Sequence, residues 1–172
     1  MAISLYDLSV SSYLQVLGGM KGVLQKGLDH CKANNIDPQS IVASRMIDDM
    51  LPFSFQVAAV AHHSIGAVEG LKKGVFSPPS NIPPDYAGLQ KLLADAETGL
   101  KTVTAAEVNA LEGKDMLFQM RDIKIPFTAE GFIMSFSLPN FYFHAATTYD
   151  ILRQKGVKLG KRDFMGQMRM KM

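Results

Sequence analysis

The chain has 172 residues, 47% of them hydrophobic and 20% charged, enough for one domain that buries roughly two thirds of its unfolded surface. A net charge of +2, with no basic stripe interleaved with exposed aromatics, argues against nucleic acid as a partner. The single cysteine, Cys31, excludes an internal disulfide or a CxxC metal ribbon and points to a reducing compartment, the cytoplasm.

The opening Met1-Ala2-Ile3-Ser4-Leu5-Tyr6-Asp7 has no basic residue before Lys21 and an early acid, unlike a secretory signal. Val10, Leu14, Leu17, Leu24, Leu28 and Cys31 then recur at helical spacing, interrupted only by Lys21, and predict a first long helix over about 6–34. Asn34-Asn35 ends it, and Asp37-Pro38 starts a short helix that runs to about Ser44.

Leu51-Pro52 opens a second long helix, whose core arc is Val57, Val60, Ala61, Ser64, Val68 and Leu71 and which ends near Gly74. Its apolar run is stopped by His62 and His63, far short of the roughly 18 residues of a membrane span, so the protein is expected not to be embedded in a membrane. Pro78, Pro79, Pro83 and Pro84 make the next stretch an extended connector. Asp85 caps a third helix carrying Leu89, Leu92, Leu93, Ala96 and Leu100 to about Thr102.

Between Glu112 and Phe127 the pattern changes. Ile123, Ile125 and Phe127 alternate with Lys124 and Pro126, which predicts a small hairpin or extended flap. Thr128 is an N-cap for a last long helix from about Ala129 to Lys155, kinked or broken one turn before Pro139 and stopped by Gly156. Beyond it lies a tail in which basic residues such as Lys158, Lys161 and Arg162 face only Asp163. Such a tail packs on the bundle through Phe164 and Met165, or binds an anionic partner. The whole chain, 1–172, is expected to form one helix-bundle domain with its basic tail from about residue 156.

The candidate chemistry lies with the histidines. His62 and His63 are adjacent, about 100 degrees apart on a helix, and no histidine pair has the i, i+3 or i, i+4 spacing of bundle metal sites. His63 shares a flank with Gln56, seven residues earlier. His144 is either a hydrogen-bonded histidine buried among Phe141, Tyr142 and Phe143, or the acid, base or single metal ligand of a pocket between the second and last long helices. On the apolar stripe of the first helix, Cys31 reads as a buried thiol rather than a nucleophile. The signatures of hydrolases, nucleotide binders and zinc proteases are absent.

The run Leu138-Pro139-Asn140-Phe141-Tyr142-Phe143-His144, then Tyr149-Asp150-Ile151-Leu152-Arg153 and Gly160-Lys161-Arg162-Asp163-Phe164-Met165-Gly166, resembles a family of short bacterial and fungal helix-bundle proteins described as a domain of unknown function. Ser4-Leu5-Tyr6-Asp7 and the stretch from Asp49-Met50-Leu51-Pro52 to Gln56-Val57 are similar too, so the likeness covers nearly the whole chain. The family is grouped with the DinB/YfiT-like metalloenzymes. The resemblance implies an all-α, four-helix up-down-down-up bundle that often dimerises, with three histidines holding a divalent metal. Only His144 matches that triad here. The second position of the last helix falls on Thr148 and the second-helix position falls near Ala58, which implies a degenerate metal site.

Two functions follow. One is a small-molecule-binding protein or enzyme, using acid/base chemistry without a tightly held metal, in a pocket lined by Gln56, His63, His144, Tyr142 and Tyr149, with His62, Asn140 and Thr148 nearby. There His144 transfers the proton and Tyr149 or Gln56 orients it. The other is a non-catalytic homodimeric interaction protein whose histidines are structural and whose basic tail makes the contact.

Overall fold

The computed structural model describes residues 3–171; Met1 and Ala2 of the opening segment, and Met172, lie outside them. Helix α1 (Leu5–Leu8) is capped by Ser4 and separated at Ser9 from α2 (Val10–Ala33), so the first predicted helix is two. Along α2 the stripe is buried at Val10, Leu17, Leu24 and Cys31 and partly buried at Leu14 and Leu28. Lys21, the exception, pairs with Glu97 on a neighbouring helix. After α3 (Gln39–Val42) comes α4, residues 53–73. It is α-helical over Phe53–Ala61, π-helical over His62–Gly66 and α-helical again over Ala67–Lys73. Gly74 ends it at φ 72, a left-handed conformation that costs glycine little.

Strand β1 (Val75–Phe76) leads to the connector, and α5 (Tyr86–Thr102) follows, capped by Asp85. Thr104 and Glu107 form a reciprocal capping box that starts α6 (Ala105–Asn109). Strands β2 (Asp115–Met120) and β3 (Ile123–Thr128) pair antiparallel, Met120 opposite Ile123, around a two-residue turn, while β1 joins β2 in parallel. The expectation of an all-α chain is therefore corrected: the chain is mostly helical and carries a three-stranded sheet of order β1-β2-β3. Pro126 sits in the edge strand β3, where its missing N–H breaks no inner ladder.

Helix α7, residues 129–154, starts at the Thr128 cap and passes through a π-helical turn, Ile133–Ser137, into Leu138–Gln154. Pro139 does not break it. The π turn lies where the break was expected, one turn before the proline, and its wider hydrogen-bond ring tolerates the absent N–H. The tail folds back as α8 (Lys161–Met165), joined to α2 through Lys26 and Asp163 at 2.7 Å and through Gln15 Nε2 donating to the Met165 carbonyl.

The four long helices close a ring, α2 against α5 and α7, and α4 against α5 and α7. Its interior is the hydrophobic core, which includes Tyr13, Leu17, Phe53, Leu89, Leu93 and Phe141. No helix among the described residues is long and apolar enough to cross a membrane.

Candidate functional site

The two π turns mark the place where α4 meets α7. An α-helix that gains one residue per turn re-aims the side chains beyond it, and here His63 lies inside the turn of α4 while Ser137 ends that of α7. Ser137 Oγ donates to the main-chain carbonyl of His63 at 2.9 Å and lies 2.8 Å from Tyr13 Oη. Since the single Ser137 hydroxyl proton is given to His63, Tyr13 is the donor to Ser137.

This frame brings His63 and His144 together. Their rings stack with centroids 5.9 Å apart at an interplanar angle of 21°. Gln56 stands two turns before His63 and is 2% exposed; its Nε2 donates to the Leu51 carbonyl at 2.8 Å, which turns Oε1 toward His144 Nδ1 at 2.7 Å. An amide oxygen only accepts, so His144 carries its proton on Nδ1 and presents a bare lone pair on Nε2. Burial pulls the His144 pKa down to about 4. His63 is 6% exposed, and its Nδ1 is buried without a hydrogen-bond partner. Burial first, and then the neighbouring His144 and His62, push it to about 3. Both imidazoles are neutral at pH 7.

Phe76 fixes the far side. The short parallel pairing of β1 on β2 seats its ring 4.4 Å from His62, 5.2 Å from His63 and 5.1 Å from Phe132. Phe136 closes on His63 at 5.7 Å, and Phe55 and Phe143 meet the His144 ring edge-on at 5.8 and 5.3 Å. His62 turns away, its Nε2 donating to the Ser77 carbonyl at 2.5 Å. Burial lowers its pKa.

Of the expected site residues, Gln56, His63 and His144 converge, with His62 beside them. The others do not. Tyr149, offered as an orienting group, instead sets its ring edge-on to Phe164 of α8; five residues past His144, it lies about 140 degrees round the helix. Tyr142 is 40% exposed. Asn140 and Thr148 spend their side chains on their own helix, Asn140 Nδ2 on the Phe136 carbonyl and Thr148 Oγ1 on the His144 carbonyl. Tyr13, Phe55, Phe76, Phe136 and Ser137 were not anticipated, because what joins them is the register between elements far apart in sequence.

The donors for a divalent metal do not fit. Thr148 has given its hydroxyl proton to a carbonyl, Ala58 offers no ligand, and no group of three His, Cys, Asp or Glu among the described residues is disposed to hold an ion. A groove of about 460 Å³ opens on the other side of α4, against α5 and beneath the connector, with Ala58 and His62 in its wall. It lies between the second and third long helices rather than the second and last.

The fold is similar to that of a DinB family member protein from Shewanella denitrificans, with a TM-score of 0.80, 25% identity, and coverage of 98% of this chain and 95% of that one. No curated protein matches the chain. The family model described as Domain of unknown function (DUF1993) matches residues 5–165, and the chain belongs to that family.

Proposed function

We propose that the protein binds a small molecule at His144 and works on it, if it turns it over, by acid and base chemistry that does not depend on a metal triad. The underlying fold in this reading is a four-helix up-down-down-up bundle of the DinB kind. One observation carries it: Gln56, itself anchored on Leu51, fixes the tautomer of His144 and leaves Nε2 as an unprotonated acceptor on a ring in contact with Phe55 and Phe143. A base whose pKa lies near 4 is weak in the free protein. It suits a ligand that donates an O–H or N–H to Nε2, and it holds a transferred proton only where the ligand becomes the compensating anion. His63 stacks behind it as a neutral polar wall. The one cysteine, Cys31, is buried and free, which suits the cytoplasm.

The test is native mass spectrometry and elemental analysis of the full chain purified without a tag, beside His144→Ala. A small-molecule adduct that is lost in the variant supports the reading. An empty protein, or an adduct kept by the variant, overturns it, and a stoichiometric metal ion lost with His144 would replace it by a metal-dependent one.

A second reading, a non-catalytic homodimeric interaction protein, draws on the exposure of Met134, Tyr142 and Phe143, which are 59%, 40% and 55% exposed on α7. Exposed apolar side chains of this size are what a partner would cover. A monomer at micromolar concentration in sedimentation velocity speaks against it.

A further inference from the structure

We propose that the groove between α4 and α5 is a binding site for a small organic ammonium ion, distinct from His144 and independent of what His144 does. Its volume, about 460 Å³, is within the range of small-ligand sites. Its floor is apolar, with Ala58, Ile65 and Leu92 among its residues, and among the described residues the only charged side chains that line it are the carboxylates of Glu69 and Asp95. No described lysine or arginine lines it. The electrostatics therefore select a cation, and the floor selects one with an apolar body.

The roof supplies the same kind of partner. Residues 78–81 of the connector line the groove, and a proline has a carbonyl acceptor but no N–H donor. The carbonyls of Pro78 and Pro79 accept no main-chain hydrogen bond. An ammonium group carries three donors and no acceptor, so the carboxylates of Glu69 and Asp95 complement it, and Pro78 and Pro79 add no main-chain N–H to compete with it, where a carboxylate ligand would be less well matched. The connector is pinned at its two ends, where Ser77 accepts from His62 Nε2 and Pro84 accepts from Gln39 Nε2 at 2.7 Å. Because His62 has its proton on Nε2, given to Ser77, its ring brings no free N–H donor to the groove it lines. Glu69 makes no ion pair among the described residues, and Asp95 is held only by the exposed Lys91, four residues before it, at 2.6 Å. An exposed pair of that kind is worth little and yields to a bound amine.

The experiment is a titration of the ¹⁵N-labelled full chain with benzylamine, followed by amide shifts, with benzyl alcohol and benzoate as matched controls. Saturable shifts confined to residues 58–69, 80–81 and 92–99 are expected with benzylamine alone. Glu69→Gln and Asp95→Asn, both at exposed positions that spare the core, are each expected to raise Kd by roughly two- to fivefold. No saturable shift with benzylamine, an equal response to benzyl alcohol, or a Kd unmoved by both variants overturns the proposal.

Discussion

Ser137 Oγ hands its proton to the carbonyl of His63 at 2.9 Å, and that bond joins the π turn of α7 to the π turn of α4. With Tyr13 donating to the same oxygen, three helices meet at one hydroxyl, and Tyr13 and Ser137 are both fully buried. Ser137→Ala strands two buried polar groups at once, the Tyr13 hydroxyl and the His63 carbonyl, and is expected to cost about 2–4 kcal/mol. Tyr13→Phe removes one bond and leaves Ser137 on His63, so it is expected to cost about 1 kcal/mol. Urea unfolding of both variants measures the difference; equal losses would mean that the bond to His63 contributes nothing.

The neutral His63 makes stability depend on pH. Its folded pKa of about 3 lies below the ordinary 6.5, so between those values the unfolded chain binds the proton that the folded one refuses. Stability is therefore complete above about pH 6.5 and falls as the pH drops toward 3, by no more than about 1.4 kcal/mol per pH unit for this group. His144, lowered to about 4, adds in the same direction. His63→Leu removes both the titration and the partnerless Nδ1, so its thermal midpoint is expected to fall less than that of the wild type between pH 7 and pH 5. Parallel curves would show that His63 does not titrate on unfolding.

The tautomer of His144 rests on Gln56. In the wild type the imidazole ¹⁵N resonances are expected to report a protonated Nδ1 and a bare Nε2. In Gln56→Leu the acceptor at 2.7 Å is gone, and the ring is expected to redistribute its proton between the two nitrogens. An unchanged spectrum would place the control of the tautomer elsewhere.

The helices and their ends were legible because their causes are local. Asp85 and Thr128 each accept from a main-chain N–H three residues on, Gly88 at 2.6 Å and Gly131 at 3.1 Å, and Gly74 takes the left-handed turn that ends α4. The hairpin showed in the alternation of Ile123, Ile125 and Phe127. Two further signals are equally local. Thr104-x-x-Glu107 spells a capping box, and the five-residue step from His144 to Tyr149 already puts them on different sides of a helix. Other features have no local cause. Strand β1 is two residues long and exists only because β2 lies beside it, and that pairing sets Phe76 on the histidines and extends the hairpin to a three-stranded sheet. The π turns likewise carry no residue pattern of their own. They shift the side chains beyond them, and so the meeting of His63 with His144 could be expected of two helix faces but not placed.

The tail packs on α2 where a glycine lets it come close. A Cβ at Gly19 would stand 2.6 Å from the Phe164 carbonyl oxygen, 2.7 Å from that of Asp163 and 3.0 Å from the Gly166 nitrogen, all main-chain atoms that cannot swing aside. A Cβ at Gly22, one turn along the same helix, would meet no atom of another element within 4 Å among the described residues. The two substitutions to alanine therefore share the same gain in helix propensity, about 0.5–1 kcal/mol, and differ only in the tail. Gly22→Ala is expected to stabilise the protein by about that amount. Gly19→Ala is expected to lift α8 from α2, stretching the Lys26–Asp163 pair and the Gln15–Met165 bond, and to speed amide exchange over residues 161–166 while the exchange of α5 stays as it was. If Gly19→Ala leaves exchange in α8 unchanged, the tail is not held by close approach to α2.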